Sequence, residues 1–267
     1  MDLPRTAALG IPLTILESTG STNDVLAASA ARDLLPNFSA VLTLDQTAGR
    51  GRLGRVWTAP PGKTLALSVL VRPVLPAGEP LSPEHFGWLP LIAGVAMAES
   101  VDALVGQRRT GLKWPNDVQI EGRKVCGILA ELQQSGDAVI IGSGVNLSLT
   151  EDELPVPTAT SLALADAALS GSELVDAVVA GYLERLDSLL VDFLRVGADP
   201  VGSGILELVT EWCSSLGREV RVELPGASDL HGVATAIDAA GRLIVRRTSD
   251  GAEQAVAAGD VTHLRYE

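Results

Sequence analysis

Short apolar runs alternate with stretches of helical period over the first 149 residues of this chain of 267. Residues 13–17, 39–44, 64–71, 125–132 and 138–145 are short aliphatic runs and are predicted to be strands. Between the first two, Val25, Leu26 and Ala30 recur at helical spacing behind Ser21 and Thr22, either of which suits a helix N-cap. Leu89, Ile92, Ala93, Ala96 and Met97 predict a second helix over residues 86–105, with Pro90 near its start.

After Leu149 the texture changes. Residues 150–160 combine prolines with acids and read as a loop. Ser172, with Glu173 behind it, predicts the cap of a helix running through Leu190, and residues 204–212 predict another. From Arg218 onward, strand-like runs are punctuated by Pro225-Gly226, by residues 238–241 and by Asp250-Gly251, the turn signals of successive β-strands. The pattern predicts an α+β chain in two parts. Residues 1–214 mix strands and helices. Residues 215–267 form a small all-β unit, near the lower size at which a domain folds alone.

Composition narrows the picture. With 46% hydrophobic and 20% charged residues the chain suits a packed globule rather than a disordered one. The formal net charge of −13 argues against DNA and against an anionic membrane as partners. No window approaches the roughly 18 apolar residues of a membrane span; the nearest run, residues 189–194, contains Asp192. The N-terminus has no signal-peptide pattern, and two cysteines build neither a disulfide framework nor a thiolate metal cluster, so a cytoplasmic location is expected. Cys126 and Cys213 read as core residues, and Trp88, Trp114 and Trp212 as packing residues. His85, His231 and His263 lack any ligand spacing. The acidity is local: residues 150–212 hold 12 acidic and two basic groups, whereas residues 1–149 hold 13 and 12.

Four segments carry candidate chemistry. Gly49-Arg50-Gly51-Arg52-Leu53-Gly54-Arg55, with Trp57 beyond, joins glycine freedom to three guanidinium groups able to fork onto carboxylate or phosphate oxygens. Its spacing is neither a P-loop nor a dinucleotide fingerprint, and a solvated basic turn has the same composition. Lys113-Trp114-Pro115-Asn116-Asp117 sets one of the chain's three lysines at a strand end, before a proline that keeps Trp114 extended. Taken alone it reads as a surface lysine near a packed tryptophan. Gly142-Ser143-Gly144-Val145-Asn146 ends a strand, and Ser21-Thr22-Asn23 suits either a helix cap or a small polar ligand.

Together and in this order, with Gln46-Thr47-Ala48 before the basic loop and Arg123-Lys124-Val125-Cys126-Gly127-Ile128-Leu129 between the last two strands, the segments resemble those of biotin protein ligases (biotin–[acetyl-CoA-carboxylase] ligases). The resemblance covers nearly the whole chain. It implies a mixed central sheet with helices, like a class II synthetase catalytic domain, followed by a small SH3-like β-barrel. It implies formation of biotinoyl-5′-AMP from biotin and ATP with Mg²⁺, then transfer to a lysine of a biotin carboxyl carrier domain. Ser21, Thr22 and Gln46 would meet the ureido ring, with Asn23 beside them and Gly127 against the pocket. Gly49, Arg50, Gly51 and Arg52 would hold the biotin carboxylate, with Lys113 and Arg50 at the reacting atoms. Arg50, Arg52, Arg55, Trp57, Asn116 and Asn146 would serve ATP, Trp57 by stacking on adenine and Asn146 by reading its edge. Asn116 and Asp117 are candidates to hold the metal, and Asp117 serves equally as a turn residue.

Leu53 departs from the family, whose members often carry a polar or basic residue there. The family also divides by its N-terminus, some members bearing a DNA-binding helix-turn-helix head. Only 20 residues precede Ser21, so no such head and no repressor function are expected. A lipoate–protein ligase is the nearest rival, and a non-catalytic biotin-sensing or carrier-binding module is another. The Lys-Trp-Pro-Asn-Asp segment favours biotin, and the conjunction of Lys113, Arg50 and Arg52 favours catalysis.

Overall fold

The computed structural model describes residues 1–106, 109–224, 229–257 and 260–263; the turn expected at Pro225-Gly226 lies outside them. In chain order the first strands are β1 (Leu13–Leu16), β2 (Ala40–Thr43), β3 (Gly49–Arg50), β4 (Val56–Trp57), β5 (Thr64–Val71), β6 (Thr110–Lys113), β7 (Asp117–Ile120), β8 (Arg123–Leu132) and β9 (Val139–Asn146). β3 and β4 pair only with each other, and the other seven form one sheet in the order β1-β2-β5-β9-β8-β7-β6. β1 runs parallel to β2, and the remaining neighbours are antiparallel.

Side-chain alternation gives this sheet two unlike faces. Along β5, Leu65, Leu67, Val69 and Val71 enter the main core, while Leu70 joins a smaller cluster on the other side. β9 repeats the pattern, with Val139, Ile141 and Val145 in the main core and Ile140 opposite. The main core is closed by two helices, α3 (Trp88–Val105) and α4 (Gly171–Arg195), packed on each other. The smaller cluster is closed by α2 (Thr22–Arg32), whose Leu26 meets Val41, Leu70 and Ile140.

Several expectations need correction. α3 lies in a segment, residues 83–105, that is long and apolar enough to cross a membrane, although no such window was expected from unbroken apolar runs. Glu99 and Asp102 interrupt it. Its small and aliphatic residues are buried around the helix, because sheet and α4 cover it from different sides. Glu99 is neutralised by Arg185 of α4. α4 is entered from Ser170 in extended conformation, not Ser172, and continues past Leu190 to Arg195 because Phe193 still packs in the core.

A short helix, α1 (Pro4–Ala8), escaped the hydrophobic pattern altogether. It is held by Asp176 of α4, a buried carboxylate that accepts the Arg5 and Thr6 backbone N–H groups, both at 2.9 Å, and the Thr6 hydroxyl at 2.8 Å. Burial pushes this carboxyl up, but the three donors outweigh it and hold Asp176 below the usual carboxylate range.

The C-terminal part follows α5 (Ile205–Trp212) and comprises β10 (Glu219–Glu223), β11 (Leu230–Ile237), β12 (Leu243–Arg247), β13 (Glu253–Val256) and β14 (Asp260–His263). They form an antiparallel sheet in the order β13-β12-β11-β10-β14, and the pairings among the described residues leave β13 and β14 unjoined. Val220, Val222, Ala234, Leu243 and Val245 belong to the same continuous core as α3 and α4. Two indoles strengthen the junction. Trp88 donates to the Ala239 carbonyl at 2.9 Å and Trp114 to the Gly241 carbonyl at 3.0 Å, both in the turn between β11 and β12. Both cysteines are buried, as expected, and burial pushes their thiols up.

Because the Asp176 carboxyl is held low in the folded chain, its stabilisation is present above the unfolded carboxylate pKa and is lost as pH falls through the folded one. Asp176→Ala should cost about 2 kcal/mol near neutral pH, from the lost acceptor and the amides left unpaired. Thermal melting should show the gap to wild type starting to close as pH falls below the unfolded carboxylate value of roughly 4 and closing further as the native carboxyl, held lower, takes up its proton. A gap constant from pH 7 to pH 3 would contradict this.

Candidate active site

On the second face of the sheet, at the N-terminal end of α2, lies a cavity open to solvent, whose space including the solvent at its mouth is about 910 Å³. Its floor is made by positions with little or no side chain: Ala66 of β5, Gly127 of β8, and Gly142 and Gly144 of β9. The Trp57 ring rests on this floor, and a Cβ on Gly144 would stand 2.8 Å from it. Glycine is therefore what admits the indole.

The start of α2 makes the first wall. Ser21 is the N-cap, accepting the Asp24 N–H at 3.5 Å, and Thr22 and Asn23 follow within the cavity lining. The Thr22 N–H donates to Gln46 Oε1 at 2.9 Å, which ties the loop after β2 to the helix.

The basic loop makes the second wall. β3 and β4 close it as a small hairpin, with Gly49 opposite Trp57 and Arg50 opposite Val56. The Gly51 N–H donates to the Arg55 carbonyl at 2.6 Å, and Leu53 turns the chain in left-handed conformation (φ 55°) with its side chain exposed. Arg50 reaches Asp24 at 2.6 Å and Glu131 at 2.9 Å. Arg52 donates to Asn116 Oδ1 at 3.1 Å, and Arg55 lies 4.0 Å from Glu223 of the C-terminal sheet. The guanidinium groups of the loop thus rest on partners that water screens. Such exposed ion pairs are weak, so an anionic ligand can exchange for the carboxylates at small cost.

The turn between β6 and β7 and the start of β8 make the third wall. Asn116 Nδ2 donates to the Ile128 carbonyl at 2.7 Å. Asp117 lies between two lysines, 2.6 Å from Lys124 Nζ and 3.8 Å from Lys113 Nζ. Lys124 also sits 5.5 Å from the Trp57 ring centroid, a cation–π arrangement. The buried Trp57 Nε1–H has no acceptor among the described residues, a donor whose desolvation a ligand oxygen would relieve.

Of the residues singled out in the sequence, Ser21, Thr22, Asn23, Gln46, Arg50, Gly51, Arg52, Arg55, Trp57, Asn116 and Gly127 all line this cavity. Gly49, Lys113 and Asn146 do not. Gly49 sits behind Trp57 in the hairpin. Lys113 backs onto Asp117. Asn146 is buried, and its amide donates to the Thr160 carbonyl at 2.8 Å, pinning the loop after β9.

Lys124 and Glu131 are charged groups to which the sequence assigned no role, and Asp117, expected to hold a metal or shape a turn, also lines the cavity between two lysines. Strand alternation places Lys124 and Gly127, three apart, on opposite faces. The structure brings both to the cavity because the register between β7 and β8 shifts: Val118 faces Cys126, but Gln119 faces Lys124. The extra residue, Val125, is a bulge that turns the lysine inward. A basic residue in an apolar strand was the available signal.

Residues 15–148 match the Biotin/lipoate A/B protein ligase family and residues 215–264 the Biotin protein ligase C terminal domain. The chain belongs to the biotin/lipoate A/B protein ligase family. Within it, the chain is 36% identical over 255 residues to the Biotin--[acetyl-CoA-carboxylase] ligase of Mycobacterium tuberculosis, spanning 95% of this chain and 89% of that protein. It is 32% identical to the Bifunctional ligase/repressor BirA of Bacillus subtilis, over 89% of this chain and 69% of that one. Among solved structures, the biotin protein ligase from Aquifex aeolicus in complex with biotin and ATP superposes with a TM-score of 0.68 at 25% identity, covering 95% of this chain and 99% of that one.

The glycine floor makes a direct prediction. Gly144→Ala should push the Trp57 ring off the sheet and red-shift its fluorescence, isolated as a difference against Trp57→Phe, while costing about 1–3 kcal/mol of stability. An unchanged Trp57 emission in the folded variant would show that the indole does not rest on Gly144.

Proposed function

We propose that the chain is an ATP-dependent biotin–protein ligase and that this cavity carries out both half-reactions. The observation that carries the reading is the convergence of Arg50, Arg52 and Lys124 with a wall of neutral hydroxyl and amide groups in one glycine-floored cavity. In the first step a biotin carboxylate oxygen attacks the α-phosphorus of ATP, and pyrophosphate leaves with the electrons of the broken P–O bond. The attacking carboxylate is already ionised, so no base is needed. The obstacle is the repulsion of two anions, and fixed cations lower it. In the second step the amine of a carrier-domain lysine attacks the carbonyl carbon of biotinoyl-5′-AMP, AMP leaves, and an amide remains.

The geometry supports Lys124 rather than Lys113 as the ammonium at the reacting carboxylate and α-phosphate. Lys113 then acts behind it, sharing Asp117 and limiting how far that carboxylate draws Lys124 back. Arg50 and Arg52 exchange Asp24, Glu131 and Asn116 for ligand oxygens. Trp57 offers its ring face and its unpaired N–H to the nucleotide side. Ser21, Thr22 and Gln46 meet the ureido ring.

The donor set does not fit a resident metal. Among the described residues no three His, Cys, Asp or Glu side chains cluster, Asp117 is held by two lysines, and Asn116 is engaged by Arg52 and Ile128. Mg²⁺ belongs here to the MgATP substrate. We read residues 1–214 as the catalytic unit and 215–267 as a small unit docked on it. The use of ATP and two buried free thiols support a cytoplasmic location. The lipoate reading is weaker, because the dithiolane ring of lipoate offers no N–H or carbonyl to the hydroxyl and amide wall.

Incubation with ATP, Mg²⁺, biotin and a purified carrier domain should give a streptavidin-reactive product. Lipoate labelling without biotin labelling would overturn the assignment. Lys124→Ala should lower the rate of biotinoyl-AMP formation by about 100-fold or more, and Lys113→Ala by distinctly less. Equal losses, or a greater loss for Lys113→Ala, would return the catalytic role to Lys113.

A further inference from the structure

Behind the α2 wall runs a chain of polar side chains that the reaction itself does not use. Asn23 Nδ2 donates to Glu131 Oε2 at 2.6 Å. Ser68 Oγ of β5 lies 2.5 Å from Asn23 Oδ1 and 2.7 Å from Thr22 Oγ1. Ser68 is fully buried beneath the cavity and does not line it.

Counting hydrogens gives this chain a direction. The Asn23 amide is oriented by its surroundings: its nitrogen faces the Glu131 carboxylate and the Leu129 carbonyl, both of which only accept. Its oxygen therefore faces Ser68, and an amide oxygen has no hydrogen to give. Ser68 must spend its single hydrogen on Asn23. The 2.7 Å contact between Ser68 and Thr22 then needs a hydrogen from Thr22, since two hydroxyl oxygens at that distance repel without one. The other internal acceptor within reach of the Thr22 hydroxyl, Gln46 Oε1, is longer at 3.2 Å and is already served by the Thr22 N–H. On either route the Thr22 hydrogen stays inside the protein, and only lone pairs of Thr22 Oγ1 remain for a ligand.

We propose that Ser68 is a positioning residue that fixes Thr22 as a hydrogen-bond acceptor towards the cavity, so that the site selects an acid presenting a ring N–H at that point. The inference rests on the reading of the cavity as a biotin site and deepens it. Ser21 supplies the complement. Its oxygen accepts the Asp24 N–H, and its hydrogen has no acceptor among the described residues, so it faces a ligand as a donor. Neighbouring positions of opposite character match a cyclic urea, in which a carbonyl is flanked by N–H groups. A ring oxygen in place of that N–H would set lone pair against lone pair at Thr22, and sites built around a hydrogen bond reject such analogues strongly.

The test compares dissociation constants, by calorimetry, for biotin and for its two cyclic carbamate analogues, in which a ring oxygen replaces one or the other ureido N–H. The wild-type chain should bind one of the two carbamates at least about tenfold more weakly than biotin. In Ser68→Ala the Thr22 hydroxyl loses its 2.7 Å acceptor and can turn its hydrogen to the cavity, so that ratio should fall below about threefold. Ser68→Thr keeps the hydroxyl and should keep the ratio. Both ligands meet the same folded population, so a mere loss of stability leaves the ratio unmoved. A wild-type ratio preserved in Ser68→Ala overturns the role of Ser68. A wild-type chain that binds none of the three compounds overturns the biotin reading itself, and this inference with it.

Discussion

The site depends on a sheet whose two faces were built for different work. On one face, β5, β8 and β9 bury leucine, valine and isoleucine against α3 and α4, and this packing holds the strands rigid. On the other, the same strands carry Ala66, Gly127, Gly142 and Gly144 beside the start of α2, so a cavity opens on a backbone packed from behind. Everything chemical is arranged around that bare patch. A tryptophan lies on it, a bulge turns a lysine towards it, and a buried serine behind it orients the hydroxyl at its wall.

The C-terminal sheet takes part in this rigidity. Its apolar strands share the main core, and the turn between β11 and β12 receives the indole N–H groups of Trp88 and Trp114. Trp114 belongs to the segment that carries Lys113, Asn116 and Asp117, and its own N–H donates to Ser215 at 3.1 Å. The third wall of the cavity is therefore braced from the small sheet, and Arg55 extends the basic loop towards Glu223 on the same side.

Much of this was legible in the sequence. The five predicted strands of the central sheet, the start of α2 at Ser21 or Thr22 and the position of α3 followed from period and capping chemistry, because each element buries a face of matching period. What was not legible has physical reasons. α1 is too short to show a period and is held by one distant carboxylate on α4. β6 and β7 are four-residue strands whose ends lie in the Lys113–Asp117 turn. The membrane-length stretch around α3 was hidden because Glu99 and Asp102 break its apolar run, although its mean hydropathy stays high. Lys124 was hidden by a bulge, which inverts the face that alternation assigns. The motifs' residues Ser21, Arg50, Arg52, Trp57 and Asn116 line the cavity, whereas Gly49, Lys113 and Asn146 do not, a distinction that spacing along the chain does not carry.

The chain's acidity now has a place. Residues 150–212 hold 12 acidic and two basic groups, whereas the strands and loops around the cavity bring Arg50, Arg52, Arg55 and Lys124 together. A net charge of −13 thus coexists with a local site for anions. In the proposed function this site joins the carboxylate of biotin to the α-phosphate of ATP, and isotope exchange between pyrophosphate and ATP tests that step without any carrier protein. Exchange should require biotin and proceed at least about tenfold faster than with lipoate at equal concentration. Exchange that is equally fast with lipoate, or that needs no added acid, would contradict the account.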